Sequence, residues 1–467
     1  MRLYFPFTLF LYTIAYMRFA LIIAVATILT GCAHLSGPSL TLPSPALLPD
    51  ISAEMLSPGY WISRHPSPNK IMMTKEEIAI FNETLRQIPN YTRDISSHPD
   101  RVEGEELSSI LLQTITDFSK QSFFTLEGTP VKSREYQSLL QKSAIKNIPS
   151  DISVSFAIAT TRSSFRMFPE SQGLYKTRKT DAFDRAQVSG VDPGTPLAVL
   201  HRSSDGLWYY VRGPSCDGWV PQESIAFCSK KELQSFLSSP RFAVIIAAKG
   251  DFFYDREYTQ WISSVRMGGR FPLLAHTKSY VEISFPTRDK EGFLLLQKAF
   301  ILPEEISEGY LSFTPQKAIT QAFKLLHAPY DWGDKYGGQD CSRFIQQLFA
   351  TFGIFLPRNS AQQGKVGIPL PKFDPSGSNE EKLNALSSAI GGITLLQMPS
   401  HIMLYLGTEN KQGYVIHSLW AYKEKIDKLS ATMVVNRITV SHLNLGENGS
   451  SGSLLKRVLS ARTLSLQ

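Results

Sequence analysis

Residues 150–230 read as short apolar runs cut by tight turns, and this pattern limits the fold more than any other stretch of the 467-residue chain. Pro196-Leu197-Ala198-Val199-Leu200-His201, the turn Asp205-Gly206, Trp208-Tyr209-Tyr210-Val211-Arg212 and Gly218-Trp219-Val220-Pro221 are short strands at a spacing that suits a small barrel. Residues 240–304 repeat the character more loosely in Phe242-Ala243-Val244-Ile245-Ile246, Tyr280-Val281-Glu282-Ile283 and Gly292-Phe293-Leu294-Leu295-Leu296, so a second, divergent barrel is expected. Upstream, over 51–147, the signals are helical. Thr74 before Lys75-Glu76-Glu77 is a capping box, and Ile78, Ile80, Phe81 and Leu85 follow as the expected core face.

Downstream, one cysteine is placed for chemistry. After the turn-rich Gly333-Asp334-Lys335-Tyr336-Gly337-Gly338, Cys341 opens a helix whose apolar residues Phe344, Ile345, Leu348, Phe349 and Phe352 recur at three- and four-residue spacing. Unpaired amide groups and the positive end of the helix dipole favour an anion there, so the thiol is expected to tend towards thiolate. Pro399-Ser400-His401 leads into the apolar strand Ile402-Met403-Leu404-Tyr405-Leu406-Gly407, and His417 ends the next strand, Tyr414-Val415-Ile416. A cysteine followed by histidines on successive strands suits a nucleophile, a base and an orienter of the base. The alternative is a small buried cysteine with no chemical role.

The wording around these residues favours chemistry. Pro329-Tyr330-Asp331-Trp332-Gly333, Asp340-Cys341-Ser342, Gly353-Ile354, Leu356-Pro357-Arg358-Asn359-Ser360, Gln363, His401 and Gly407 together resemble the NlpC-type cell-wall cysteine peptidases over roughly residues 310–467, within an expected domain of 306–467. Two departures stand out: Arg343 where that family usually has glycine, and Ser400 where an aspartate often precedes the histidine. The resemblance implies a papain-like α+β catalytic domain, with Tyr330 steadying the oxyanion and Trp332, Asp340 and Ser342 lining the substrate groove; the structural alternative is Trp332 as core and Asp340 and Ser342 as helix caps, and a mixed role is expected. Residues 148–232, from Gly194-Thr195-Pro196 to Gly218-Trp219-Val220-Pro221, resemble the bacterial SH3-like module, and Ser57-Pro58-Gly59-Tyr60-Trp61 resembles the opening of a stabilising segment in longer members. The expected architecture is therefore a helical clip (51–147), two SH3-like barrels (148–232 and 233–305) and the peptidase domain.

Met17-Arg18, the apolar run Phe19 to Leu29 and then Thr30-Gly31-Cys32 read as a signal peptide. Leu29-Thr30-Gly31-Cys32 resembles the bacterial lipobox, in which the cysteine is lipidated and becomes the mature N-terminus. On that reading residues 1–32 carry the signal, and the Pro/Ser-rich stretch 33–50 tethers an exported body to a membrane. An uncleaved span is the alternative, opposed by Pro6 and the charge at Arg18. Of four cysteines, Cys216 and Cys228 then remain as a pair in an oxidising setting, open to a disulfide or to two reduced thiols. A net charge of +7 is scattered with no aromatic-interleaved patch, so nucleic acid is not an expected partner. No paired-cysteine or histidine–glutamate motif calls for a metal, and a cofactor-free monomer is expected.

Longer relatives with barrels before the peptidase domain commonly cut between the γ-carboxyl of D-glutamate and the following diamino acid in peptidoglycan stem peptides. In such relatives, and as the resemblance implies here, the first barrel closes the groove on a free N-terminal L-alanine. Its ammonium would need a carboxylate, and Asp181 or Asp184 in the loop Lys179-Thr180-Asp181-Ala182-Phe183-Asp184-Arg185 is expected to supply it. A catalytically silent wall-binding lipoprotein and a papain-like acyltransferase or esterase are the competing classes.

Overall fold

The computed structural model describes residues 47–178, 183–426 and 429–466. Cys32, the leader and Asp181 lie outside the described residues. Among those described, no helix is long and apolar enough to cross a membrane.

Helices α1 (Pro58–Arg64), α2 (Lys75–Arg86), α3 (Gly104–Ser119) and α4 (Ser133–Lys142) make up the clip. The capping box is formed: Thr74 Oγ1 accepts from the Glu77 amide, and the Glu77 carboxylate accepts from the Thr74 amide. Ile78, Phe81 and Leu85 are buried, but Ile80, expected with them, is 58% exposed, because two residues on from Ile78 lies round the far side of the helix. Asn82, on the inner face, clasps the peptidase domain by donating to Gly353 O (2.7 Å) and accepting from Phe355 N (3.0 Å). Trp61 of α1 packs on Tyr414 at 5.3 Å.

The first barrel is β1 (Ser155–Ala159), β2 (Ser163–Arg166), β3 (Gln187–Val191), β4 (Pro196–Arg202), β5 (Trp208–Arg212), β6 (Asp217–Pro221) and β7 (Ile225–Cys228). Helix α5 (Lys230–Leu237) joins it to β8 (Phe242–Ile245), β9 (Lys249–Phe253), β10 (Trp261–Arg266), β11 (Arg270–His276), β12 (Val281–Arg288), β13 (Leu294–Ile301) and β14 (Ile306–Glu308). Strand order is β3-β2-β6-β5-β4-β1-β7 in the first and β10-β9-β13-β12-β11-β8-β14 in the second. The two orders are the same, strand for strand, although the sequences share only a loose pattern.

This topology overturns the disulfide. Cys216 and Cys228 are both free thiols. Cys216 sits just before β6 and packs with Phe165, Val211 and Val220, whereas Cys228 ends β7, paired with Phe156, and joins the core shared by the two barrels. In the sheet order β5, β4 and β1 stand between β6 and β7, and a disulfide tolerates no such separation.

The peptidase domain is a six-stranded sheet, β15 (Ile368–Pro369), β20 (Ser460–Thr463), β16 (Thr394–Met398), β17 (His401–Glu409), β18 (Gln412–Ile426) and β19 (Leu429–His442) in spatial order. Helices α6 (Pro315–Lys324) and α7 (Cys341–Ala350) pack on it. Phe344, Ile345, Leu348 and Phe349 of α7 are fully buried against the sheet core, and Gln346 and Gln347 on its other side are buried as well. A helix buried all round needs a second covering layer, which the barrels supply.

Charge fixes that layer. Asp192 of the first barrel is clasped by Arg266 of the second (2.6 Å) and by Arg343 of α7 (3.0 Å), with Arg162 at 3.4 Å. Asp334 of the peptidase domain pairs with Arg343 (3.0 Å) and Arg266 and receives Arg162 at 3.6 Å. Arg343, the departure from the family pattern, thus ties the catalytic helix to Asp192 of the first barrel, and the second barrel joins the cluster through Arg266. Gly190 permits the approach: a Cβ there would lie 2.7 Å from the Asp334 carbonyl oxygen. A cavity of about 870 Å³ lies at this junction on the far side of α7, walled by Arg343, Gln346, Met267 and Cys216, with neither Cys341 nor His401 in its lining.

Candidate active site

Asp340 caps α7, its carboxylate accepting from the Arg343 amide at 2.8 Å, so Cys341 occupies the first position of the helix. Facing it is the two-residue turn between β16 and β17. Met398 pairs with His401, Pro399 is the first turn residue, and Ser400 is left-handed at φ +60°, the pattern of a type II turn, in which that position is usually Gly or Asn. The turn sets the Ser400 carbonyl 3.9 Å from Cys341 Sγ. The position where an aspartate often stands thus serves here through its backbone.

His401 and His417 come together as expected. His401 Nε2 lies 2.7 Å from His417 Nδ1, and His417 Nε2 lies 3.0 Å from Ser441 Oγ. With Nε2 occupied, Nδ1 is the nitrogen of His401 left to take a thiol proton. His417 pairs with Thr439 across β18 and β19, which puts Ser441 on the same face, diagonal to it. All three polar side chains are buried.

Electrostatics correct one expectation. Burial pushes the Cys341 thiol up to about 12, with the Asp340 carboxylate adding to it, against the smaller lowering effects of the Ile402 and Ser342 amides and Arg358. Burial also pulls His401 down to about 4, and His417 well below its ordinary value. The helix start does not make a standing thiolate here, because loss of hydration outweighs a partial dipole charge. Burial thus favours the neutral thiol and the neutral imidazole.

Tyr330 and its neighbours form an aromatic wall. The Tyr330 ring is 5.7 Å from Trp420, and Phe183 of the first barrel packs edge-on against Trp332 and Trp420 (5.2 Å each) and Tyr330 (6.2 Å). The Arg185 guanidinium covers Trp332 at 4.8 Å. The Tyr330 phenol is raised far above its ordinary value, by burial first and then by charge on Cys341 and Asp340. It stays protonated at all working pH and is suited to donate to an oxyanion.

Residues 327–441 match the NlpC/P60 family model, and residues 176–221 match the SH3 domain model of SH3b1 type. The C-terminal domain is thus similar to the NlpC/P60 family over those residues. A γ-D-glutamyl-L-lysine dipeptidyl-peptidase of Bacillus subtilis strain 168 is 29% identical over 148 residues, 32% of this chain, which spans only 44% of that relative's length. An NlpC/P60 endopeptidase of Photobacterium damselae subsp. piscicida shares the fold, with a TM-score of 0.71 at 21% identity over 86% of this chain and 95% of that one.

Three expected substrate contacts, two in the C-terminal domain and one in the first barrel, are otherwise engaged. Both Asp340 oxygens are held by Arg358 (2.6 and 3.2 Å), and Ser342 Oγ donates to Asp340 Oδ1 (2.9 Å) while accepting from Arg358 Nη1 (2.9 Å). This buried knot seats the helix start, and Arg358 Nε carries it into the first barrel by donating to Ser189 Oγ at 2.7 Å. Asp184 is the third. It is 2% exposed, ion-paired to Arg166 (2.6 Å) and Lys335 (2.8 Å), and accepts from the Leu174 and Ala186 amides (3.0 Å each). A carboxylate so filled has no lone pair for a substrate ammonium; it bolts the barrel to the NlpC/P60 domain, and Trp332 Nε1 donates to its backbone carbonyl at 3.0 Å. Phe183, Trp420 and Ser441 were not legible as site residues. Phe183 and Trp420 look like ordinary core aromatics, and Ser441 carries no signal before the β18–β19 register is known.

Proposed function

We propose that this protein hydrolyses the peptide stems of peptidoglycan as a cysteine peptidase, cutting the amide between the γ-carboxyl of D-glutamate and the following diamino acid. The observation that carries it is the Cys341 thiol at a helix start beside the buried His401–His417 pair; the bond assignment leans on the name of the Bacillus relative. His401 Nδ1 takes the thiol proton as Sγ adds to the carbonyl, with Tyr330 and the Cys341 amide as oxyanion donors. The C–N bond breaks, the amine leaves with the proton held on His401, and a thioester remains. Water, deprotonated by His401, releases the γ-carboxylate and restores the thiol.

The barrel limits what enters. Phe183 closes the aromatic wall from the barrel side, leaving less room beyond the L-alanine end of a stem peptide. L-Ala-γ-D-Glu-diaminopimelate should be cleaved after D-Glu, and its Nα-acylated form, as on intact glycan, at least tenfold more slowly. Mass spectrometry of both digests decides it: equal rates would mean the barrel does not close the site.

We further propose that Cys32 is lipidated and holds the enzyme on a membrane facing the wall. Cys32→Ser should release it from the membrane fraction. An intact mass for the extracted protein that retains residues 1–31 would exclude the anchor.

A further inference from the structure

We infer that Ser441 is a positioning residue of the catalytic unit, the buried acceptor that His417 Nε2–H requires while His401 acts as a base; this rests on the peptidase reading above. The geometry leaves little choice. His401 Nε2 and His417 Nδ1 are 2.7 Å apart, so one proton lies between them. If it sits on His417, His401 carries its own proton on Nδ1 and cannot take another from Cys341. If it sits on His401 Nε2, Nδ1 is free, and His417 must carry its proton on Nε2. That N–H points at Ser441 Oγ, 3.0 Å away.

The requirement sharpens during the reaction. Once His401 is an imidazolium both its nitrogens are donors, so His417 Nδ1 has to accept and His417 Nε2 has to be protonated. His417, Ser418 and Ser441 are all 0% exposed, so no bulk water reaches this N–H, and Ser441 Oγ is its acceptor. Ser418 next door is turned elsewhere, its hydroxyl donating to Gln339 O at 2.7 Å. The resting pair could be served by a hydroxyl in either tautomer, but the imidazolium state has no alternative: without the Ser441 oxygen it leaves the His417 Nε2–H a buried, unmatched donor, which disfavours proton transfer to His401. Every charge step balances within the chain: the proton leaves Cys341 Sγ, arrives on His401 Nδ1, and no other proton moves.

The test reads the thiol itself, independently of any wall substrate. Iodoacetamide alkylation of the Cys341 peptide, followed by mass spectrometry at pH 7, should slow about 10–100-fold in Ser441→Ala, the range for loss of a residue that orients a histidine. Ser441→Thr, which keeps the hydroxyl, should recover most of the rate. Wild-type rates in Ser441→Ala, or an equal loss in a folded Ser441→Thr, would overturn the inference. Should either variant fail to fold, the ring ¹⁵N shifts of histidine-labelled wild-type protein decide it. His417 protonated on Nε2 supports the role, and His417 protonated on Nδ1 ends it. A protein that alkylates as expected but leaves muropeptides intact would sink the substrate reading and leave this one standing.

Discussion

Cys341→Ala should abolish hydrolysis of muropeptides without unfolding the protein, and His401→Ala should do the same. Both side chains are buried at one point, the thiol against the turn that carries His401. Members of such a unit do not substitute for one another: a missing nucleophile leaves only whatever rate the oxyanion donors give, a loss of roughly 10⁴-fold or more. His417→Ala should retain measurable turnover, since it acts through the angle and tautomer of His401. The pH profile follows from the same geometry. His401 is pulled down to about 4, so the base is in its working, neutral form above that pH. kcat/KM should therefore rise along an acid limb near pH 4 and not near the ordinary histidine value. Undiminished turnover in the Cys341 variant would refute the assignment, and an acid limb near pH 6.5 would show His401 to be hydrated and not buried as described.

The second large effect is on stability. Asp192→Ala should cost about 3–5 kcal/mol, the range for removing one partner of a buried ion pair, because it leaves Arg162, Arg266 and Arg343 with Asp334 as their shared carboxylate. The same carboxylate makes the protein acid-labile. The Asp192 carboxyl is held far below its ordinary 3.8, the arginines outweighing burial. A depressed carboxylate stabilises fully above its unfolded value, and that contribution is lost as pH falls below it. Wild-type unfolding midpoints should therefore drop below about pH 4, while Asp192→Asn should start lower and lose less over that window. Urea unfolding followed at several pH values checks both, and an unchanged midpoint for Asp192→Ala at pH 7 would show that the cluster contributes nothing.

Much of this protein was legible in its sequence, because local rules governed it. The α2 capping box, the alternating strands of the first barrel and the helix begun by Cys341 follow from hydrogen-bonding residues and apolar periods that act over a few positions. The pairing of His401 with His417 was accessible for a similar reason: adjacent strands joined by a short hairpin are close in space. What the sequence could not determine depends on groups far apart in the chain. The second barrel repeats the first strand for strand, yet its sequence shows only a loose echo, since many residue choices fill the same core. Asp184 reads as a loop carboxylate free for a ligand until Arg166 and Lys335 close on it. Arg343 reads only as a departure from the family pattern until Asp192 and Asp334 are seen to hold it. Even the charge state of Cys341 was decided this way. Its place at a helix start is local and argues for a thiolate, but the strand turn and core that bury it remove the water a thiolate needs, and that loss raises the thiol to about 12.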